Sequence, residues 1–157
     1  MSEVSYRLVQ ESDFPIIVEM YKLLNNYFYK MGYRLPHPEN VGEVWLDSFR
    51  RTLGRFSNVF LAEVGGKPVG FILCRIKRLA PYMGGVMVGE ISDVWVDSSA
   101  RRRGIAAQLC RQGIDWLRSQ DVHSIEVQVL MGNEASQKLF ESLGFVLELH
   151  MSRLNLK

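Results

Sequence analysis

Val94-Trp95-Val96-Asp97-Ser98-Ser99-Ala100-Arg101-Arg102-Arg103-Gly104-Ile105-Ala106-Ala107 joins a β-type run to a helix start through a basic loop. An apolar, β-type run ends at Asp97, and Ser98-Ser99-Ala100 makes a short polar turn. A basic, glycine-containing segment then passes directly into an amphipathic helix. That helix carries apolar or small residues at Ala106, Leu109, Cys110, Gly113 and Leu117, three or four apart. The first N–H groups of a helix have no acceptor inside it, and their dipoles sum to a partial positive charge. Gly104 lets a ligand approach the main chain, and the neighbouring arginines add full charge. The stretch reads as strand, tight loop and helix start, arranged as a cradle for a pyrophosphate.

Before this stretch, Val86 to Val96 forms the strand that leads into it. A loop from Ala80 to Gly85 precedes that strand. Further back, Val59 to Val64 and Pro68 to Leu79 are two strands joined at Gly65-Gly66, where adjacent glycines supply the positive φ values of a hairpin turn. Gly70 marks a bulge. A helix is expected from Val41 to Leu53, stopping near Gly54. Before it, Ile17, Met20, Tyr21, Leu24 and Phe28 recur at helical spacing after the start signal Ser12-Asp13-Phe14-Pro15. Ser5 to Val9 is a short first strand.

After the central helix, Ile125 to Leu130 is apolar enough for an inner strand. Asn133 caps a helix carrying Ala135, Leu139, Phe140 and Leu143, with Gly144 just past its end. Val146 to Leu156 is expected to be a last strand. The order is β-α-α-β-β-β-α-β-α-β, a single α/β domain over residues 1–157 with βαβ units in its second half.

Composition narrows the class. The chain has 157 residues, 47% of them apolar, which suits one domain with a real core. A formal charge of +2 calls for neither a nucleic acid nor an anionic membrane. No run approaches the roughly 18 apolar residues of a membrane span. The start of the chain lacks a basic n-region and an apolar h-region, so a cytoplasmic location is expected. Cys74 and Cys110 fall inside a strand and a helix, and read as buried thiols. His37, His123 and His150 have no metal-ligand spacing, and no metal is expected.

Arg101-x-x-Gly104-x-Ala106 after a strand resembles the Q/R-x-x-G-x-G/A motif of the GCN5-related N-acetyltransferases (GNAT). Asn133 to Phe145, N-E-A-S-Q-K-L-F-E-S-L-G-F, is similar to the family's N-x-x-A-x-x-L-Y-E-x-x-G-F helix. The resemblance implies a mixed, mostly antiparallel sheet with a splayed central parallel pair, flanked by about four helices. It implies acetyl-CoA as co-substrate, its pantetheine arm lying between the strand ending at Val96 and the strand from Ile125. Main-chain groups of Val94, Trp95 and Val96 would pair with that arm. The Arg101, Arg102, Arg103, Gly104, Ile105, Ala106 and Ala107 segment would hold the pyrophosphate, chiefly through amides. Asn133 would lie near the pantetheine and Phe140 near the sulfur. A homodimer is compatible with the family.

The chemistry asks for a base. A primary amine, with a pKa of roughly 10.4, must lose a proton before it attacks a thioester. Glu90, eleven residues before Arg101, resembles the glutamate that serves as base in part of the family. Asp93 competes with it, and faces the other side of the strand unless a bulge intervenes. Many members carry tyrosine where this chain has Phe140, which has no proton to give. A thiol pKa of about 8.5 still makes the thiolate a tolerable leaving group. The sequence therefore carries two readings: an N-acetyltransferase acting on an amine, and a non-catalytic acyl-CoA-binding module. Tyr27, Phe28, Tyr29, Tyr33 and the Tyr82-Met83 loop are candidates for lining the acceptor site. Nucleic-acid binding is not expected, since no aromatic residues interleave the arginine triplet.

Overall fold

The computed structural model describes residues 3–157. The elements follow the chain as β1 (Val4–Leu8), α1 (Phe14–Lys30), α2 (Val41–Asp47), β2 (Ser57–Val64), β3 (Lys67–Arg78), β4 (Met87–Val96), α3 (Ile105–Ser119), β5 (Ser124–Val127) and α4 (Glu134–Ser142). The strands form one sheet in sequential order, β1 to β5. Every neighbouring pair is antiparallel except β4 and β5, which are parallel.

Local sequence accounts for most of these elements. Pro15 stands in the first turn of α1, where its missing N–H leaves no bond unmade. Gly65 and Gly66 both have positive φ, 59° and 77°, and turn β2 tightly into β3. The bulge near Gly70 falls on Val69, which is skipped where Ala62 pairs with Gly70 and Glu63 with Pro68. Gly70 itself is fixed by space: a Cβ there would sit 2.7 Å from the Trp95 carbonyl oxygen.

Period-two alternation divides the sheet's side chains between two cores. On one face α1 and α2 cover Val59, Leu61, Phe71 and Leu73, with Ile17, Leu24, Trp45 and Phe49 packed on them. On the other face α3 and α4 cover Ile72, Cys74, Ile91 and Val96, using Ile105, Leu109, Leu117 and Phe140. Cys74 and Cys110 are buried free thiols in this second core.

Three expected elements differ. The helix expected over Val41–Leu53 stops at Asp47, and a separate single turn covers Arg50–Thr52. The strand expected from Ile125 to Leu130 is paired only over Ser124–Val127, because the parallel ladder to β4 ends there. The expected last strand over Val146–Leu156 does not form: the segment runs outside regular structure with its large apolar side chains exposed. Alternation supplied the right pattern for a strand, but no neighbouring strand among the described residues receives it.

Candidate active site

The ladder between the two parallel strands closes at Ile91↔Val127, while β4 runs on to Val96. Past that point the strands part. A narrow gap opens there, lined by Glu90, Ile91, Ser92, Glu126, Val127 and Gln128. Val94, Trp95 and Val96 pair with β3 along one edge only, so their other edge faces away from any strand among the described residues. Such an edge presents alternating N–H and C=O groups to an extended partner.

A β-bulge in β4 decides which of its side chains share a face of the sheet. Leu73 pairs with Asp93 and Cys74 with Ile91, so Ser92 is an extra residue in β4. Without it, Glu90 and Asp93 would lie on opposite faces. With it, they pair with Arg75 and Leu73, two apart on β3, and share the face covered by α1 and α2.

The two carboxylates differ in surroundings. Asp93 accepts a 2.9 Å hydrogen bond from Trp45 Nε1. Burial pushes its carboxyl up to about 6, against opposing effects of the Trp45 bond and the Arg75 charge. Trp45 is itself held by a parallel stack with Tyr21, centroids 4.4 Å apart. Burial likewise pushes the Tyr21 phenol up to about 12. Glu90 accepts from Ser92 Oγ at 2.8 Å and from Lys77 Nζ at 3.4 Å. Lys77 also pairs with Glu126 of β5, so one ammonium ties both banks of the gap. Trp45, Lys77, Glu126 and the Ser92 bulge were not readable as site features. Trp45 lies 48 positions from Asp93, and no local pattern joins them.

The helix start stands at the far end of β4. Arg102 and Gly104 both have positive φ, 65° and 72°. Gln108 N–H returns to the Gly104 carbonyl as the first regular bond of α3. The N–H groups of Ile105, Ala106 and Ala107 precede that bond and lack intrahelical acceptors. Left-handed residues in such a loop turn successive N–H groups to one side, which suits an anion. Arg101 is committed to the loop: its Nε donates to the Val96 carbonyl at 3.0 Å, and its guanidinium lies 5.0 Å from the Trp95 ring centroid. Arg102 and Arg103 are exposed beside the helix start.

On the β5 side, Asn133 is buried and its Oδ1 accepts from Ser136 N–H at 3.3 Å, capping α4. Phe140 is buried against Phe145, centroids 5.5 Å apart. Of the aromatic candidates, Tyr27 meets Trp95 edge-on, and Tyr29 contacts Tyr33 and His37. Tyr82 and Met83 are exposed and stand apart from these contacts. Among the described residues, no group of three or more His, Cys, Asp or Glu could hold a metal ion, and no helix is long and apolar enough to cross a membrane.

Known proteins share both the sequence pattern and the fold. The profile of the acetyltransferase (GNAT) family matches residues 17–145. An uncharacterized N-acetyltransferase of Methanocaldococcus jannaschii is 31% identical over 86 residues, covering 55% of this chain and 38% of the relative. A mycothiol acetyltransferase of Thermobispora bispora is 36% identical over 112 residues, covering 69% of this chain and 38% of the relative. The chain thus spans well under half the length of either relative. An aminoglycoside N-acetyltransferase solved in complex with CoA superposes with a TM-score of 0.77 at 20% identity, covering 99% of this chain and 95% of that one. At that identity the match speaks for the fold.

Proposed function

The chain belongs to the acetyltransferase (GNAT) family, and we propose that it acts as one domain moving an acetyl group from acetyl-CoA directly to a primary amine. One observation carries this reading. The parting of β4 from β5 brings an open strand edge, two carboxylates and an anion-suited helix start onto a single strand and its exit.

The residues fit the co-substrate part by part. The open edge of Val94–Val96 suits an amide-bearing arm paired in the manner of an added strand. The amides from Arg102 to Ala107 suit a pyrophosphate. Phe140, buried against Phe145, would pack near the sulfur, and Asn133, which caps α4, would stand near the pantetheine. Holding amine and thioester in line supplies much of the acceleration.

In the transfer, the amine nitrogen bonds the acyl carbon, the carbon–sulfur bond breaks, and sulfur leaves with the electron pair. The nitrogen's proton must go to a base. Asp93, held by Trp45 and with its carboxyl near 6, is ionised at neutral pH and suits that role. Glu90, engaged by Lys77 and Ser92, suits attraction and positioning of the cationic amine, directly or through water. Phe140 gives the sulfur no proton, so the thiolate takes one from water. That same phenylalanine is the feature that favours the alternative, a domain that binds acyl-CoA without turning it over.

Thiol release from acetyl-CoA, measured against a panel of amines, separates the two. Amine-dependent release that falls at least tenfold in Asp93→Asn supports transfer. Tight acetyl-CoA binding with no release for any amine supports the binding module.

A further inference from the structure

On the sheet face that carries Asp93, apolar side chains under α1 and α2 give way to charged ones toward β5. Arg75, Glu90 and Glu126 pair in one row across β3, β4 and β5. Their side chains therefore share that face, and Lys77, two residues after Arg75, shares it too. Glu90 and Glu126 stand opposite each other across the parallel ladder, where like charges repel. Lys77 offsets this repulsion. Its Nζ bonds Glu126 and lies 3.4 Å from Glu90 Oε2. The Glu126 bond first, then the charges of both carboxylates, hold its proton more tightly than usual against the opposing effect of burial.

The ammonium is nevertheless free to leave. Lys77 is 45% exposed and Glu126 50%, and an ion pair so open to water is weakly held and screened by salt. Arg75, the other cation of the row, is committed elsewhere. It donates to Ser48 Oγ at 2.9 Å, and its guanidinium lies 5.5 Å from the Phe49 ring centroid. A lysine side chain ends in a primary alkylammonium, the group that the acceptor of the proposed transfer also carries. Distance along the strand adds a second constraint. Glu90 and Asp93 pair with Arg75 and Leu73, two residues apart on β3. The two carboxylates thus stand roughly 7 Å apart along the strand, the reach of a chain of about four or five carbons.

We propose that Lys77 is a specificity-determining residue whose ammonium fills the place of a second ammonium on the acceptor, so that the chain prefers α,ω-diamines to monoamines of the same length. This rests on the transfer reading above and names its acceptor class. One end of the diamine gives its proton to Asp93 and attacks the thioester. The other end stays protonated between Glu90 and Glu126, and Lys77 swings out to water.

Kinetics with 1,5-diaminopentane and 5-amino-1-pentanol measure the preference, and calorimetric titration of both amines into the CoA-bound chain measures it without turnover. The parent is expected to favour the diamine by about fivefold, the worth of one exposed ion pair. Lys77→Met keeps the apolar stem and removes the competitor. It is expected to lower KM and Kd for the diamine by about threefold and to leave the amino alcohol within about twofold. Lys77→Arg keeps a cation in place and is expected to match the parent, whereas Glu126→Gln is expected to abolish the preference. A lysine that only joined the strands would, on loss, weaken both amines alike. Equal binding of the two amines by the parent, a diamine Kd not lowered in a folded Lys77→Met chain, or a preference that survives Glu126→Gln overturns the assignment. Absence of thiol release with every amine contradicts the transfer reading instead, and the titrations then decide the assignment by the same ratios.

Discussion

Asp93 is a carboxylate placed where burial resists its charge and one indole N–H supports it. The folded chain holds its proton more tightly than the unfolded chain, whose value is near 3.8. That tighter hold contributes stability below the unfolded value and is lost as pH rises through about 6. Asp93→Asn, which keeps an acceptor for Trp45, is therefore expected to be more stable than the parent at pH 8 by roughly 1–3 kcal/mol. The difference should vanish below about pH 3, and paired thermal melts from pH 3 to 8 check it. With Asp93 as the proposed base, kcat/KM is expected to fall as pH drops through about 6. Asp93→Asn is expected to flatten that limb and to lose roughly a hundredfold or more. Glu90→Gln is expected to raise KM for the amine more than it lowers kcat. The carboxylates were legible as residues, but not their shared face. A single extra residue, Ser92, reverses the alternation, and neither composition nor spacing announces it.

At the level of elements, α3 is seated on the sheet by small residues. A Cβ on Gly113 would lie 2.6 Å from Cys74 Sγ and 3.0 Å from Ile72 Cδ1, both in the fully buried core. Gly113→Ala is expected to cost about 1–3 kcal/mol, read from denaturant midpoints, because the helix must lift from β3. The lift would carry the helix start with it and weaken acetyl-CoA binding as well. Elements with punctuation were legible: proline opening α1, the Gly65-Gly66 hairpin, the Asn133 cap and Gly144 closing α4. Elements whose length depends on a neighbour were not. β5 stops where β4 diverges, α2 stops where Ser48 and Phe49 turn toward β2, and Val146–Leu156 finds no partner strand among the described residues.

Across the whole molecule, Arg7 fastens the first strand to its neighbours. Its guanidinium meets Asp13 through two bonds of 2.7 and 2.8 Å and Glu63 through two of 2.8 and 3.4 Å, joining β1, β2 and the approach to α1. Arg7 holds the Asp13 carboxyl below its usual value, so this stability is present above the unfolded pKa and lost as pH falls through the lower folded one. Arg7→Met is expected to cost roughly 2 kcal/mol at pH 7, and less in acid where the parent has lost the same contribution. The frame so fastened holds α1 and α2, with Trp45, on the sheet face where Asp93 of β4 receives its bond. The β4–β5 gap is proposed to transfer an acetyl group and not merely to bind its carrier. That transfer is tested most directly by the amine dependence of thiol release from acetyl-CoA, with the acetylated amine identified by mass. Stoichiometric thiol and N-acetyl product are predicted with at least one primary amine, without an acetylated form of the protein. Acetyl-CoA bound at the site with no amine-dependent release across aminoglycoside, polyamine, amino-sugar and peptide N-terminal acceptors would contradict it.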